Sequence, residues 1–132
     1  MMARGQIDAY RQVEVQSRSP LELVVMLYDG ALASLSEART AAGKGDVRTR
    51  GAAVSKALAI ICSLQETLNL SAGGKVASDL DRLYNYASQR LIDVTLKQDT
   101  AALTEVHTLL AGLRDAWHQI ATQQLQTTAV HP

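Results

Sequence analysis

Apolar residues recur at helical spacing in four stretches of the chain, each separated from the next by a short polar break. The first stretch opens at Ser19-Pro20-Leu21-Glu22. There the Ser19 hydroxyl can accept a hydrogen bond from a free helix-start N–H, Pro20 has no N–H to leave unpaired, and Glu22 can reach back to Ser19. This predicts a helix to about Ala42, broken by Gly43-Lys44-Gly45-Asp46. A second helix, about Val47 to Asn69, carries Val54, Ala57, Ile61, Leu64 and Leu68 on one stripe and stops at Ser71-Ala72-Gly73-Gly74. A third, about Lys75 to Lys97, turns Val76, Leu80, Leu83, Tyr84, Ala87, Leu91 and Val94 inward. Gln98-Asp99-Thr100 makes a tight turn, with Asp99 or Thr100 as the cap of a fourth helix. That helix runs from about Ala101 to Gln123 on Leu103, Val106, Leu110, Leu113, Trp117 and Ile120.

Short connections make consecutive helices antiparallel, and no strand pattern competes. The expected fold class is all-α: an antiparallel up-down-up-down four-helix bundle over residues 19–123. A loosely ordered N-terminal segment, 1–18, precedes it, and a flexible polar tail, 124–132, follows. Within the N-terminal segment Ile7, Tyr10 and Val13 recur every three residues, which suits a helical turn, while Val15 also admits an extended chain. Both conformations stay open.

The apolar positions exceed what one core can use. A bundle helix needs a single apolar stripe. With the first helix centred on Val24, Tyr28, Ala31, Leu35 and Ala38, Leu23 falls about 100° off the stripe and Met26 points nearly opposite it. Leu27 completes an eight-residue run from Leu21 to Tyr28 that is apolar nearly all round except at Glu22. On the third helix Tyr86, Ile92 and Leu96 lie off the stripe, and on the second Leu58 and Ile60 flank it. Isolated surface apolar residues are ordinary. A contiguous group is a candidate docking surface for an amphipathic partner helix, and the adaptable side chain of Met26 suits it.

Composition removes several other functions. The 13 basic and 13 acidic residues cancel, and no run of five like charges occurs, so the phosphate-neutralising face of a nucleic-acid binder is missing. No stretch approaches the length of a membrane span, and Met1–Gln16 lacks the apolar core of a signal peptide, so a cytosolic protein without membrane insertion is expected. Cys62 is the single cysteine; no internal disulfide is possible, and it is expected to pack as a small apolar side chain. No phosphate loop, dinucleotide fingerprint, zinc-protease motif or nucleophile elbow is present. His107 and His118 stand three helical turns apart, roughly 16 Å, too far to share one metal. Glu105 and Asp115 read as solvated carboxylates. Neither catalysis nor a cofactor is expected. The remaining classes are a holding or binding protein and a homo-oligomeric helical scaffold that uses the same apolar surface.

Tyr10, followed by Ser19-Pro20-Leu21-Glu22-Leu23-Val24-Val25-Met26-Leu27-Tyr28-Asp29-Gly30-Ala31-Leu32, resembles the opening of the flagellar secretion chaperone FliS family. Leu68-Asn69-Leu70 with Gly73-Gly74 is similar to that family's link between its second and third helices. Leu83-Tyr84-Asn85-Tyr86 with Arg90-Leu91 matches its third helix, and Leu109 through Trp117 its fourth. Two departures stand out: Asn85 where the family often has Asp, and Val94-Thr95 for a common Ala-Asn. The resemblance implies a cytoplasmic bundle that binds the disordered C-terminal segment of flagellin as helices and prevents premature polymerisation. It implies delivery to the flagellar type III export apparatus, with the export gate protein and other flagellar regulators as further partners. It also implies that the segment bearing Ile7 and Tyr10 lies near the client surface. The client-facing residues expected are Ile7, Tyr10, Leu23, Met26, Leu27, Leu58, Ile60, Tyr86, Ile92 and Leu96.

Overall fold

The Ser19 hydroxyl caps the first helix as its position requires, accepting a hydrogen bond from the Glu22 N–H at 3.2 Å. In the computed structural model residues 19–130 are described, with only the helical backbone described for 70–72 and 124–130. Four helices follow in order: α1 (Pro20–Gly43), α2 (Val47–Glu66), α3 (Leu70–Lys97) and α4 (Ala101–Val130). No strand occurs among the described residues. Each helix packs against its two neighbours in the ring α1-α2-α3-α4, which leaves α1 diagonal to α3. The expected four-helix bundle is the fold. Ile7 and Tyr10 lie outside the described residues.

The tightest seam joins α1 to α2, and small residues explain why. Ala31, Ala38, Ala53 and Ala57 are buried there, and a side chain at Gly30 would come within 3.3 Å of Ile60 Cδ1. Helix axes approach closely only where side chains are this small. Bulkier core layers follow from Tyr28, Leu35, Ile61, Leu64, Tyr84, Leu91, Leu103 and Leu110, all essentially without solvent contact. Each large aliphatic side chain among them contributes about 1.5–3 kcal/mol by leaving water.

Several boundaries differ from the sequence expectation, each for a local reason. α2 stops at Glu66 rather than Asn69, because the Thr67 hydroxyl donates back to the Leu64 carbonyl at 2.6 Å and closes the last turn. α3 begins at Leu70, ahead of the expected Lys75, and is broken at Gly74, whose backbone (φ 56°, ψ −131°) only glycine adopts readily. α4 continues to Val130, beyond the expected Gln123. Its inward stripe passes through Ala121, which is buried, and leaves Ile120 exposed, since a 3.6-residue period drifts away from a strict three-residue step. Cys62 is exposed, not packed: it sits one position past the buried Ile61, and its Sγ–H faces the Glu66 carboxylate at 3.9 Å.

Two polar devices close the opposite end of the bundle. Asp46 caps α2 by accepting from the Thr49 N–H at 3.1 Å, and hydrogen bonding from the Thr49 side chain, with that backbone bond second, holds its carboxyl below the usual carboxylate range. Arg90 of α3 reaches Asp99 at 2.9 Å, Glu105 of α4 at 3.2 Å and Asp93 at 3.3 Å. Glu105 is therefore a bridge between helices, not a free surface carboxylate, and Asp99 spends its carboxylate on Arg90. The chain leaves α3 through Gln98, a non-glycine residue held at φ 57°. Gln98→Gly is expected to stabilise the fold by about 0.5–1 kcal/mol, the relief of left-handed strain outweighing the added freedom of the unfolded chain. Urea unfolding measures it as a higher midpoint at unchanged slope.

Candidate functional site

Because α2 ends at Glu66 and the straight part of α3 begins only after Gly74, no full helical wall covers the space between α1 and α3 at this end. The result is a groove of about 490 Å³. Pro20, Leu21, Leu23, Val24 and Leu27 form the α1 side, Thr67, Leu68, Asn69 and Gly73 the link side, and Val76, Ala77 and Leu80 the α3 side. Tyr84 and Trp117 also line it. None of these side chains is charged, and the volume lies in the range of ordinary ligand pockets, roughly 300–1,000 Å³.

Beneath the groove lies a polar pair, Tyr28 and Tyr84, within the apolar core cluster. The Tyr28 and Tyr84 hydroxyls lie 2.5 Å apart, joining the diagonal helices α1 and α3. Their rings stand 6.5 Å apart, tilted by 46°, a favourable aromatic arrangement. Burial pushes both phenols above the ordinary tyrosine range; the bond to Tyr28 adds to the effect at Tyr84, whereas bonds with Tyr84 and Trp117 partly oppose it at Tyr28. Both stay neutral at any physiological pH. One residue beyond Tyr28, Asp29 accepts from Arg114 Nε of α4 at 2.8 Å. The run of apolar residues on α1 and the Leu-Arg run on α4, far apart in sequence, are thus tied by an ion pair.

The predicted client-facing residues are distributed unevenly. Leu23 and Leu27 line the groove. Met26, 37% exposed, lies on the far side of α1, in a smaller polar hollow with Glu22, Asp29, Arg114 and His118. Leu58 and Ile60 are half-buried and pack against the core, Ile60 filling the space beside Gly30. Tyr86 is exposed on the α3–α4 side, where its hydroxyl donates to Glu105. Ile92 and Leu96 are exposed on α3 away from the groove. The structure therefore brings together two of the eight described residues, and adds others that the stripes assign to the core. Val76 is 69% exposed, and the buried position of that turn is Ala77. Leu68 and Trp117 are partly buried and face the same opening.

Met26→Glu places a third carboxylate beside Glu22 and Asp29 on an exposed surface. Thermal unfolding is expected to stay nearly unchanged. A large fall in unfolding temperature would place Met26 in the core instead.

A family model for the flagellar protein FliS matches residues 2–124. The chain is 40% identical over 126 residues to the flagellar secretion chaperone FliS of Salmonella typhimurium, covering 92% of this chain and 93% of that protein. It is 33% identical over 130 residues to the flagellar secretion chaperone FliS of Vibrio cholerae, covering 96% of each. Across a wider distance it is 33% identical over 119 residues to the flagellar secretion chaperone FliS of Bacillus subtilis, covering 90% of this chain and 88% of that one.

Proposed function

The chain belongs to the FliS family of flagellar proteins, and from that premise we propose that it is a cytosolic export chaperone for flagellin. It binds the disordered C-terminal segment of flagellin as helices, prevents premature polymerisation, and delivers the client to the flagellar type III export apparatus. The observation that carries this is the uncharged apolar groove left open between α1 and α3. A segment that folds on binding must offset its ordering cost by burying on the order of 1,000–3,000 Å². The groove takes the anchoring side chains of one client helix. The exposed apolar residues Met26, Tyr86, Ile92 and Leu96 extend the contact as the client wraps the bundle.

Further partners on this reading are the export gate protein and other flagellar regulators. The balanced charge offers nothing to nucleic acid, and no described helix is long and apolar enough to cross a membrane. Residues 1–18 lie outside the described residues, and this part of the reading rests on the family resemblance, which implies that the segment bearing Ile7 and Tyr10 lies near the client surface and gives way when the client arrives. Deleting residues 1–16 is expected to speed association and tighten binding by a few-fold, because the client then displaces nothing. An unchanged affinity and association rate would rule this cover out.

Light scattering at micromolar concentration tests the main reading against self-association. A monomer at all concentrations that forms a one-to-one complex with flagellin supports the chaperone. Concentration-dependent self-association abolished by Leu23→Glu would instead make the groove an interface between copies.

A further inference from the structure

We infer that Gly73 and Gly74 are positioning residues for the groove: together they hold the link between α2 and α3 in place as its rim, and the grip on the client depends on both. This rests on the groove being the client site. After α2 ends at Glu66, Thr67, Leu68 and Asn69 lead into a single helical turn, Leu70–Gly73, which closes with the Gly73 N–H donating to the Asn69 carbonyl at 2.7 Å. At Gly74 the backbone leaves helical geometry, and the straight part of α3 follows. Thr67, Leu68, Asn69 and Gly73 form one side of the groove, and Val76, Ala77 and Leu80 of α3 form the side next to it. The angle between the turn and the helix therefore sets how wide the groove stands.

Each glycine is required for its own reason. On an unbroken helix, residues four apart hold their Cβ atoms about 5–6 Å from one another. The bend folds the turn back onto α3 so closely that a Cβ at position 73 would stand 2.6 Å from the Ala77 Cβ, well inside the roughly 3.5–4.0 Å of ordinary carbon contact. Ala77 is buried and its methyl has no bond about which to swing aside, so only hydrogen fits at 73 while the bend is kept. At position 74 a side chain would meet nothing within 4 Å. There the obstacle is the backbone itself, whose φ of 56° with ψ −131° is a glycine conformation. Alanine at either position is relieved in the same way, by letting α3 run on unbroken, which alanine also favours over glycine. A straightened α3 takes the turn off its seat beside Ala77, and the groove loses its rim. The core side chains of α3, from Leu80 to Val94, lie beyond the bend, so the bundle keeps its packing. A binding site left about 1 Å too loose holds its occupant poorly even when every lining residue is still present.

Calorimetry of the full chain with a flagellin C-terminal segment tests this as a double-mutant cycle. Gly73→Ala and Gly74→Ala should each weaken binding by about 10-fold. Ala77→Gly removes the methyl that a side chain at 73 would strike. In the Ala77→Gly background the step Gly73→Ala should therefore cost less than about twofold, whereas Gly74→Ala should still cost about 10-fold, because its obstacle is not at Ala77. Stability should move the other way. Ala77→Gly puts glycine into a helix and deletes a buried methyl, so Gly73→Ala with Ala77→Gly should unfold at a lower temperature than Gly73→Ala alone, yet bind the client more tightly. Loss of affinity through general destabilisation cannot give that split. Binding by Gly73→Ala within about twofold of the wild type, or the same loss in both backgrounds, overturns the inference and leaves the chaperone reading intact. No binding by the wild type overturns that reading and this inference with it.

Discussion

Leu23→Glu is expected to raise the Kd for a flagellin C-terminal segment by about 30-fold or more, the loss of one anchoring position of roughly 2 kcal/mol. Leu23 is half-buried on the α1 side of the groove, where no neighbouring lining residue is charged. In the free chain the new carboxylate can turn to water, so stability should change by less than about 1 kcal/mol. In the complex it is enclosed with apolar side chains and no cation, which is unfavourable for the bound state alone. Val47→Glu is the matched control. It puts the same charge on an exposed apolar residue at the opposite end of the bundle and should leave the Kd within about twofold.

Leu110→Ala should do the reverse, costing about 2–5 kcal/mol of folding stability. Leu110 is fully buried in the core formed by all four helices and lines no groove. Truncation removes its transfer energy and leaves a cavity that helices packed on both sides cannot collapse to fill. For a domain of this size the unfolding temperature should fall by on the order of 10 °C. Below that transition the affinity for the client should change little, because the groove is formed by other side chains. A Leu110→Ala chain that is as stable as the wild type would mean the bundle is not packed as described.

Much of this fold can be read in the residues themselves. The Ser19-Pro20 start, the apolar stripes through Tyr28, Leu35, Ile61, Leu91 and Leu110, and the antiparallel order follow from local preferences that the tertiary structure obeys. The excess of apolar residues on α1 includes Leu23 and Leu27, which line the groove. Val76, Leu68 and Trp117 could not be assigned to the groove that way. A stripe shows which side of a helix faces inward, but not where the helix opposite it stops. That limit depends on the Thr67 hydroxyl and the Gly74 backbone, which end α2 early and bend α3. Ile60 is instead drawn partly into the core by the close approach at Gly30, a feature that appears only once two helices are paired, and Leu58 also packs against the core. The Asp29–Arg114 and Glu105–Arg90 pairs likewise join residues whose spacing along the chain gives no hint of contact.

The most direct measurement is methyl-resolved NMR of the whole chain titrated with a flagellin C-terminal segment. The account predicts saturable shifts centred on the methyl groups of Leu23, Leu27, Leu68, Val76 and Leu80, the walls of the groove. Binding that leaves those five unmoved, with shifts confined to other faces of the bundle, would contradict it.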